Sequence, residues 1–264
     1  MEKQTKSKYL LIIIIIILTI INYPFLDNAI ENFLIEYEFG IVERVIDGDT
    51  IVVENESIRL LGINSPERGE KYYEEAKEYL EFLVLNNTVK LQTEKEDRDR
   101  YDRKLRYVVI GLTNINLELV KKGLANLYFP NGKTSSYNEF EEGWKKCIEE
   151  RINLCEPSKE KCAICIQLEE FNNKEQEIIF YNRCGFSCNL EDWTIKDEGR
   201  KKFTFNNINI NPKSKLMIKV SKDENDKNTD EIVYWIRKDY VWTDSGDTLF
   251  LRDPEGKLVL WESY

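Results

Sequence analysis

The chain has 264 residues, enough for two modest domains. Its 48 Asp and Glu outnumber 38 Lys and Arg, a formal net charge of −10. Bulk electrostatics therefore do not draw it to nucleic acid, and any phosphate binding must be local. There is no histidine, which excludes histidine-based triads, imidazole acid–base chemistry and histidine-ligated zinc, and leaves carboxylate, arginine and hard-metal chemistry.

Lys3, Lys6 and Lys8 form a short basic tail (residues 1–8) before an apolar run that includes six consecutive isoleucines. Residues 9–25 are just long enough for a tilted crossing or a signal segment, and they predict an N-terminal transmembrane or signal helix. Basic residues before the run, and none soon after, place the tail in the cytoplasm and the rest of the chain outside. Two readings compete: an anchor in the cell membrane, or a cleaved signal that leaves the protein secreted. The bulky Asn22-Tyr23-Pro24-Phe25 offers no small-residue cleavage pattern and favours the anchor. A mixed acidic and apolar connector, 26–37, follows.

A first domain is expected over residues 38–155. Strands are predicted at 40–46, 50–53, 57–61, 89–93 and 105–110. Helices are predicted at 70–86, with Tyr73, Ala76, Leu80 and Leu83 on one stripe, at 117–122 ended by Gly123, and at 136–152. Ser136-x-x-Glu139 reads as a capping box for the last helix. Five short strands with three helices suit an OB-fold barrel.

The chemistry concentrates in Val45-Ile46-Asp47-Gly48-Asp49-Thr50 and Ile58-Arg59-Leu60-Leu61-Gly62-Ile63-Asn64-Ser65-Pro66-Glu67. Asp47-Gly48-Asp49 reads as a turn that leaves Asp49 at the mouth of a strand, with Asp47 a turn residue only. Pro66 ends the second run and pushes Ser65 into an extended conformation. Carboxylates with a guanidinium suit a hard cation and a phosphate, because carboxylate oxygens bind Ca²⁺ and arginine grips phosphate with two parallel donors. Further on, Asp99-Arg100-Tyr101-Asp102-Arg103-Lys104-Leu105-Arg106-Tyr107 adds a second arginine just before a strand.

These three stretches, in this order and spacing, resemble the staphylococcal-nuclease-like (thermonuclease) family. The resemblance covers 38–155 and implies an OB-type barrel, Ca²⁺ as cofactor, and hydrolysis of phosphodiester bonds in DNA or RNA by an endonuclease. It implies metal ligation by Asp49, by Asn64 and by the Ser65 carbonyl. Glu67 matches the carboxylate that activates or positions water, Arg59 and Arg103 match the pair that clamps the scissile phosphate, and Tyr101 matches a substrate contact. Two positions depart from the pattern. Asn64 stands where the family commonly has aspartate, which removes a negative charge and weakens metal binding. Asp102 stands where it often has glycine, and Asp tolerates φ > 0 better than most residues. The competing reading is a non-catalytic protein that keeps the fold and binds nucleic acid or an envelope component.

Six cysteines surround a linker at 156–162: Cys147, Cys155, Cys162, Cys165, Cys184 and Cys188. The last four have spacing that permits a thiolate zinc site. An exported compartment favours disulfides instead, with Cys184–Cys188 and Cys147–Cys155 as the local pairs.

From 163 to 264 the pattern changes to short strands, at 166–170, 177–182, 193–197, 202–205, 215–220, 232–235, 248–252 and 258–261. Turn clusters separate them, as expected of an all-β sandwich. The stretches Glu177-Ile178-Ile179-Phe180-Tyr181-Asn182, Cys188-Asn189-Leu190-Glu191-Asp192-Trp193-Thr194-Ile195 and Ser245-Gly246-Asp247-Thr248-Leu249-Phe250-Leu251-Arg252 resemble the lamin-tail domain family. That resemblance implies an immunoglobulin-like sandwich without catalysis, a module for a surface or a protein partner. Trp193 and Trp235 are expected in its core, Asp197 and Asp247 in its turns. The whole reads as β-rich and two-domain.

Overall fold

The computed structural model describes residues 37–264, together with Thr19. The expected N-terminal helix (9–25), the basic tail and the connector up to residue 36 lie outside the described residues. Among those described, no helix is long and apolar enough to cross a membrane.

Five strands close into a barrel: β1 (Tyr37–Asp47), β2 (Thr50–Val53), β3 (Glu56–Leu60), β5 (Thr88–Gln92) and β6 (Lys104–Ile110). The hydrogen-bonded order is β3-β2-β1-β5-β6, and a parallel pairing of β3 with β6 closes the ring. Two register shifts in β1, after Val42 and after Val45, supply the bends that let one long strand wrap the barrel. Inward-facing Val42, Val45, Ile51, Ile58, Leu60, Val89, Leu91 and Val108 fill it. Helices α1 (Tyr73–Val84), α2 (Ile115–Lys121) and α3 (Tyr137–Glu150) pack around it, α1 through Ala76, Leu80 and Val84.

The sequence-level boundaries hold with corrections. Helix α1 is shorter than expected, beginning at Tyr73, and Val84 rather than Leu83 lies fully buried on its stripe. The capping box at Ser136 does not form. Ser136 itself has helical torsions, so its side chain is not placed to accept from the first-turn N–H groups, and it makes no cap bond. Gly123 does take the left-handed conformation after α2, donating its N–H to the Val120 carbonyl.

Two three-residue strands escaped the sequence reading. β4 (Gly62–Asn64) leaves the barrel and pairs antiparallel with β8 (Asn126–Tyr128), Asn64 opposite Asn126. A shorter β7 (Thr113–Asn114) folds back and pairs antiparallel with the end of β6.

The remainder of the chain is β-rich. One four-stranded sheet has the order β16-β15-β10-β9, built from β9 (Ile166–Asn172), β10 (Glu177–Asn182), β15 (Lys215–Ser221) and β16 (Ile232–Ile236). A second has the order β13-β12-β17-β18, from β12 (Thr194–Lys196), β13 (Lys202–Thr204), β17 (Thr248–Arg252) and β18 (Leu258–Ser263). A small pair, β11 (Cys188–Asn189) with β14 (Asn209–Ile210), completes this half. Trp193 and Trp235 lie in its core, as expected, with Trp242, Phe180 and Phe205.

All six cysteines are bridged, which excludes the thiolate zinc alternative. Cys147–Cys155 is as expected. The Cys184–Cys188 pairing is corrected: Cys188 joins Cys162 and Cys184 joins Cys165. The turn carrying Cys162 and Cys165 lies against β10 and β11, so each cysteine faces a partner across strands rather than along its own segment. Arg183 N–H, for example, donates to the Cys165 carbonyl.

Strand β17 joins the two halves. Successive side chains on a strand point to opposite faces, and here both faces are buried. Leu249 and Leu251 enter the C-terminal core, while Phe250 enters the barrel-side core with Leu258. Phe250 meets Trp144 of α3 edge-on, with ring centroids 5.5 Å apart. Arg252, also buried, donates to the Leu154 carbonyl and, at 3.3 Å, to Asn126 Oδ1.

Candidate functional site

The turn before β2 places Asp49. Asp47 Oδ1 accepts the Asp49 N–H at 3.1 Å, the turn role expected of it. Gly48 is required for a further reason: a Cβ there would sit 2.7 Å from both Ala76 Cβ and Ser65 Cβ. The close approach brings Ser65 onto Asp49. Its backbone N–H donates to Asp49 Oδ2 at 2.8 Å and its hydroxyl to the same oxygen at 3.1 Å.

Arg59, on β3 directly across from Thr50, lies with Asp49 in a buried pair. Arg59 Nη2 stands 3.1 Å from Asp49 Oδ2 and 3.2 Å from Asn64 Oδ1, so two oxygens converge on one positive group. Nη1 donates to the Leu60 carbonyl at 2.8 Å. The guanidinium also lies 5.9 Å from the Tyr128 ring centroid. Asn64, held by the β4–β8 pairing, donates its Nδ2 to the Gly199 carbonyl of the C-terminal half at 2.8 Å.

Thr50 extends the network outward. Its hydroxyl donates to Asp49 Oδ1 at 3.1 Å and lies 3.4 Å from Arg103 Nη1. Arg103 is gripped by Asp99 through Nε at 2.8 Å and Nη2 at 2.6 Å. Burial would raise the Asp99 carboxyl, but the hydrogen bonds from Arg103 outweigh it and hold the group below its ordinary value. Asp102 has φ 65°, the left-handed backbone anticipated for that position. Tyr101 is exposed beside the arginines, its ring centroid 4.8 Å from Arg100 and 5.6 Å from Arg103.

The structure thus gathers Asp49, Arg59, Asn64, Ser65 and Arg103 into one hydrogen-bonded network with Tyr101 at its edge. Glu67 is reached from the other side. Its carboxylate pairs with Arg200 of the C-terminal half, Oε1 to Nε 2.7 Å, and its N–H donates to Glu70 Oε2 at 2.9 Å. Thr50, Asp99, Glu70, Gly199 and Arg200 were not singled out in the sequence. The first two have local signals, being beside Asp49 and four residues before Arg103. The last two come from more than 130 positions away.

Both halves of the chain are similar to known proteins. Residues 57–156 match the family described as Staphylococcal nuclease homologue, and residues 160–264 match the Lamin Tail Domain. The thermonuclease of Staphylococcus intermedius is 31% identical over 173 residues, covering 59% of this chain and 99% of that protein. The chain belongs to the staphylococcal nuclease family. The thermonuclease of Staphylococcus hyicus is 33% identical, over 50% of this chain and 87% of that protein. The micrococcal nuclease of Shigella flexneri is 36% identical, over 44% and 72%. The nuclease half of the chain carries the network above, and a lamin tail domain follows it.

The donor set suits a hard cation. Every candidate ligand atom on Asp49, Asn64 and Ser65 is an oxygen, and Asp49 Oδ2 and Asn64 Oδ1 already converge on the charge of Arg59. Among the described residues no group of three or more Cys, Asp or Glu stands ready as a complete metal cage.

Proposed function

We propose that this protein is an exported or membrane-anchored Ca²⁺-dependent nuclease that hydrolyses phosphodiester bonds in DNA or RNA. The observation that supports it most is the single network joining Asp49, Arg59, Asn64 and Arg103, in a chain of thermonuclease ancestry. In this reading Asp49, Asn64 and the Ser65 carbonyl hold Ca²⁺. When bound, the ion supplies positive charge to the phosphoryl oxygens. Arg59 and Arg103 grip the scissile phosphate and stabilise the charge that develops on it. Glu67 orients the attacking water and accepts its proton, and Tyr101 lies against the substrate. The nuclease half is read as an OB-type barrel over 38–155 and the lamin tail half as an immunoglobulin-like sandwich over 163–264, joined at 156–162. The basic tail and apolar run at the N-terminus support placement of both halves outside the cytoplasm.

The test is degradation of a single-stranded oligonucleotide by the full chain, in Ca²⁺ and in EDTA. Wild type cleaves in Ca²⁺ only. Glu67→Gln and Arg103→Ala each lose about a hundredfold or more, the scale of removing one charge-stabilising group. Equal rates in wild type and both variants contradict the assigned roles.

A second reading draws on one observation: Asn64 spends its oxygen on Arg59 and its amide on Gly199. In that reading the protein binds nucleic acid without cutting it. Calorimetric titration with Ca²⁺ separates the two, since heat of binding to wild type that is lost in Asp49→Ala supports the nuclease.

A further inference from the structure

The hairpin between β12 and β13 of the lamin tail domain leans on the nuclease site at several points. Gly199 offers its carbonyl to Asn64, and Glu198 Oε1 accepts the Phe129 N–H at 3.0 Å. Lys196 Nζ donates to Glu70 Oε2 at 2.9 Å, and Arg200 Nε pairs with Glu67. The base of the hairpin is closed by Asp197, whose N–H donates to the Lys201 carbonyl and whose carboxylate accepts the Lys201 N–H. Asp197 and Glu198 are buried, as is Asp247, which accepts the Glu198 N–H. Behind the hairpin, Phe250 and Leu258 lie in the core that also holds Trp144. The hairpin is thus tied to the nuclease half by hydrogen bonds and ion pairs along its length.

The tip is different. The Arg200 side chain is 57% exposed and that of Glu67 45%, so the pair faces solvent although each grips the other. An occluding lid would bury the residue it covers. The other two arginines of the site are more enclosed, with side-chain exposures of 7% for Arg59 and 22% for Arg103. Arg59 is spent on Asp49, Asn64 and the Leu60 carbonyl, and Arg103 on Asp99. Arg200 therefore presents the most open guanidinium of the three, beside the solvent-exposed carboxylate of Glu67.

We propose that Arg200 is a substrate-binding residue of the nuclease site, contributed by the lamin tail domain, which takes a backbone phosphate next to the scissile one on a single strand of nucleic acid. Asn64 is the residue that registers the hairpin on the site. An aspartate there would set a carboxylate against the Gly199 carbonyl, whereas the asparagine amide donates to it. The position at which this chain departs from the pattern its resemblance implies thereby has a structural role: its amide ties the second half of the molecule to the site. The proposal rests on the nuclease reading for what a phosphate does at this place.

Two measurements on the full chain test it. The first is the affinity for a fluorescein-labelled short single-stranded oligonucleotide, by anisotropy in EDTA over a range of salt. The second is kcat and KM for the same strand in Ca²⁺. Arg200→Ala is expected to weaken binding about tenfold, raise KM correspondingly, and reduce the slope of log K against log salt by about 0.7, the share of one phosphate contact on a single strand. Arg200→Lys keeps the charge and retains most of the slope. Unchanged affinity, slope and KM in Arg200→Ala overturn the proposal, as does faster cleavage, which would make Arg200 an inhibitory plug. A wild type that binds no oligonucleotide and turns none over overturns it together with the nuclease reading. The two are separable: Arg200-dependent binding without cleavage removes the nuclease and keeps the ligand, and cleavage indifferent to Arg200 does the reverse.

Discussion

At the scale of single residues, the site is a set of oxygens arranged around one buried arginine. Arg59 is positioned by its strand, but its direction is set by Asp49 and Asn64, each about 3 Å from the same nitrogen. Asn64 is the pivot, because its two side-chain atoms serve different halves of the molecule. Asn64→Asp restores the second negative charge and is expected to tighten Ca²⁺ binding in a calorimetric titration, since ligand charge tunes such sites. In EDTA the same variant is expected to lose about 0.5–1.5 kcal/mol of stability in urea unfolding, because a partly buried carbonyl loses its donor and faces a carboxylate. A variant as stable as wild type in EDTA would show that the Gly199 contact contributes little. Asp49, Arg59, Glu67 and Arg103 could be singled out in the sequence because the stretches that carry them resemble the thermonuclease family in order and spacing. What was not legible was the state of Asn64, since its partner is 135 positions away. Arg200 was not legible for the same reason: nothing in Asp197-Glu198-Gly199-Arg200 distinguishes it from an exposed turn.

At the scale of elements, strands of five or more residues could be read to within three positions, because alternation and turn residues mark them. The two short strands that hold Asn64 could not. β4 and β8 have three residues each, too few for a period, and their pairing is decided by the helices and barrel around them. Asp197 and Asp247 read as turn residues; Asp197 closes the β12–β13 hairpin and Asp247 leads into β17, and both are buried with Glu198, which no local pattern announces. Burial, followed by the charge of Asp247, pushes Asp197 up to about 7 and Glu198 up to about 9; burial also raises Asp247. The sign follows from proton uptake. These carboxyls hold protons in the folded state at pH values where the unfolded chain has lost them. Their stabilisation is complete below the unfolded values near 4 and is lost as pH rises through the folded ones. Thermal stability is therefore expected to fall between about pH 5 and pH 9, and Glu198→Gln to flatten that fall by differential scanning calorimetry. A wild-type profile already flat across that interval would contradict the burial argument.

At the scale of the whole molecule, two families meet in a continuous structure rather than as beads on a linker. The sequence pattern predicted separate halves because each has its own signature of strands and turns. The join is carried by β17, which reads as one more sandwich strand but buries both faces, and by α3, whose Trp144 meets both Phe250 and Trp261. Burying Phe250 and Leu258 in the nuclease-side core contributes about 1.5–3 kcal/mol each. The two halves are therefore expected to melt in one transition, and Trp144→Ala, at a cost of about 3–5 kcal/mol, to lower that single transition rather than split it. Two resolved calorimetric peaks in wild type would show that the halves are independent. A lamin tail domain so fixed contributes Gly199 and Arg200 to the surroundings of the candidate site, through Asn64 and Glu67. The most direct measurement is a crystal structure of the full chain with Ca²⁺ and a short single-stranded oligonucleotide bound to Glu67→Gln. The account predicts one Ca²⁺ between Asp49 and Asn64, the scissile phosphate within hydrogen-bonding reach of Arg59 and Arg103, and a neighbouring phosphate on Arg200. An oligonucleotide bound elsewhere, with Arg59 still closed on Asp49 and no cation between Asp49 and Asn64, would contradict it.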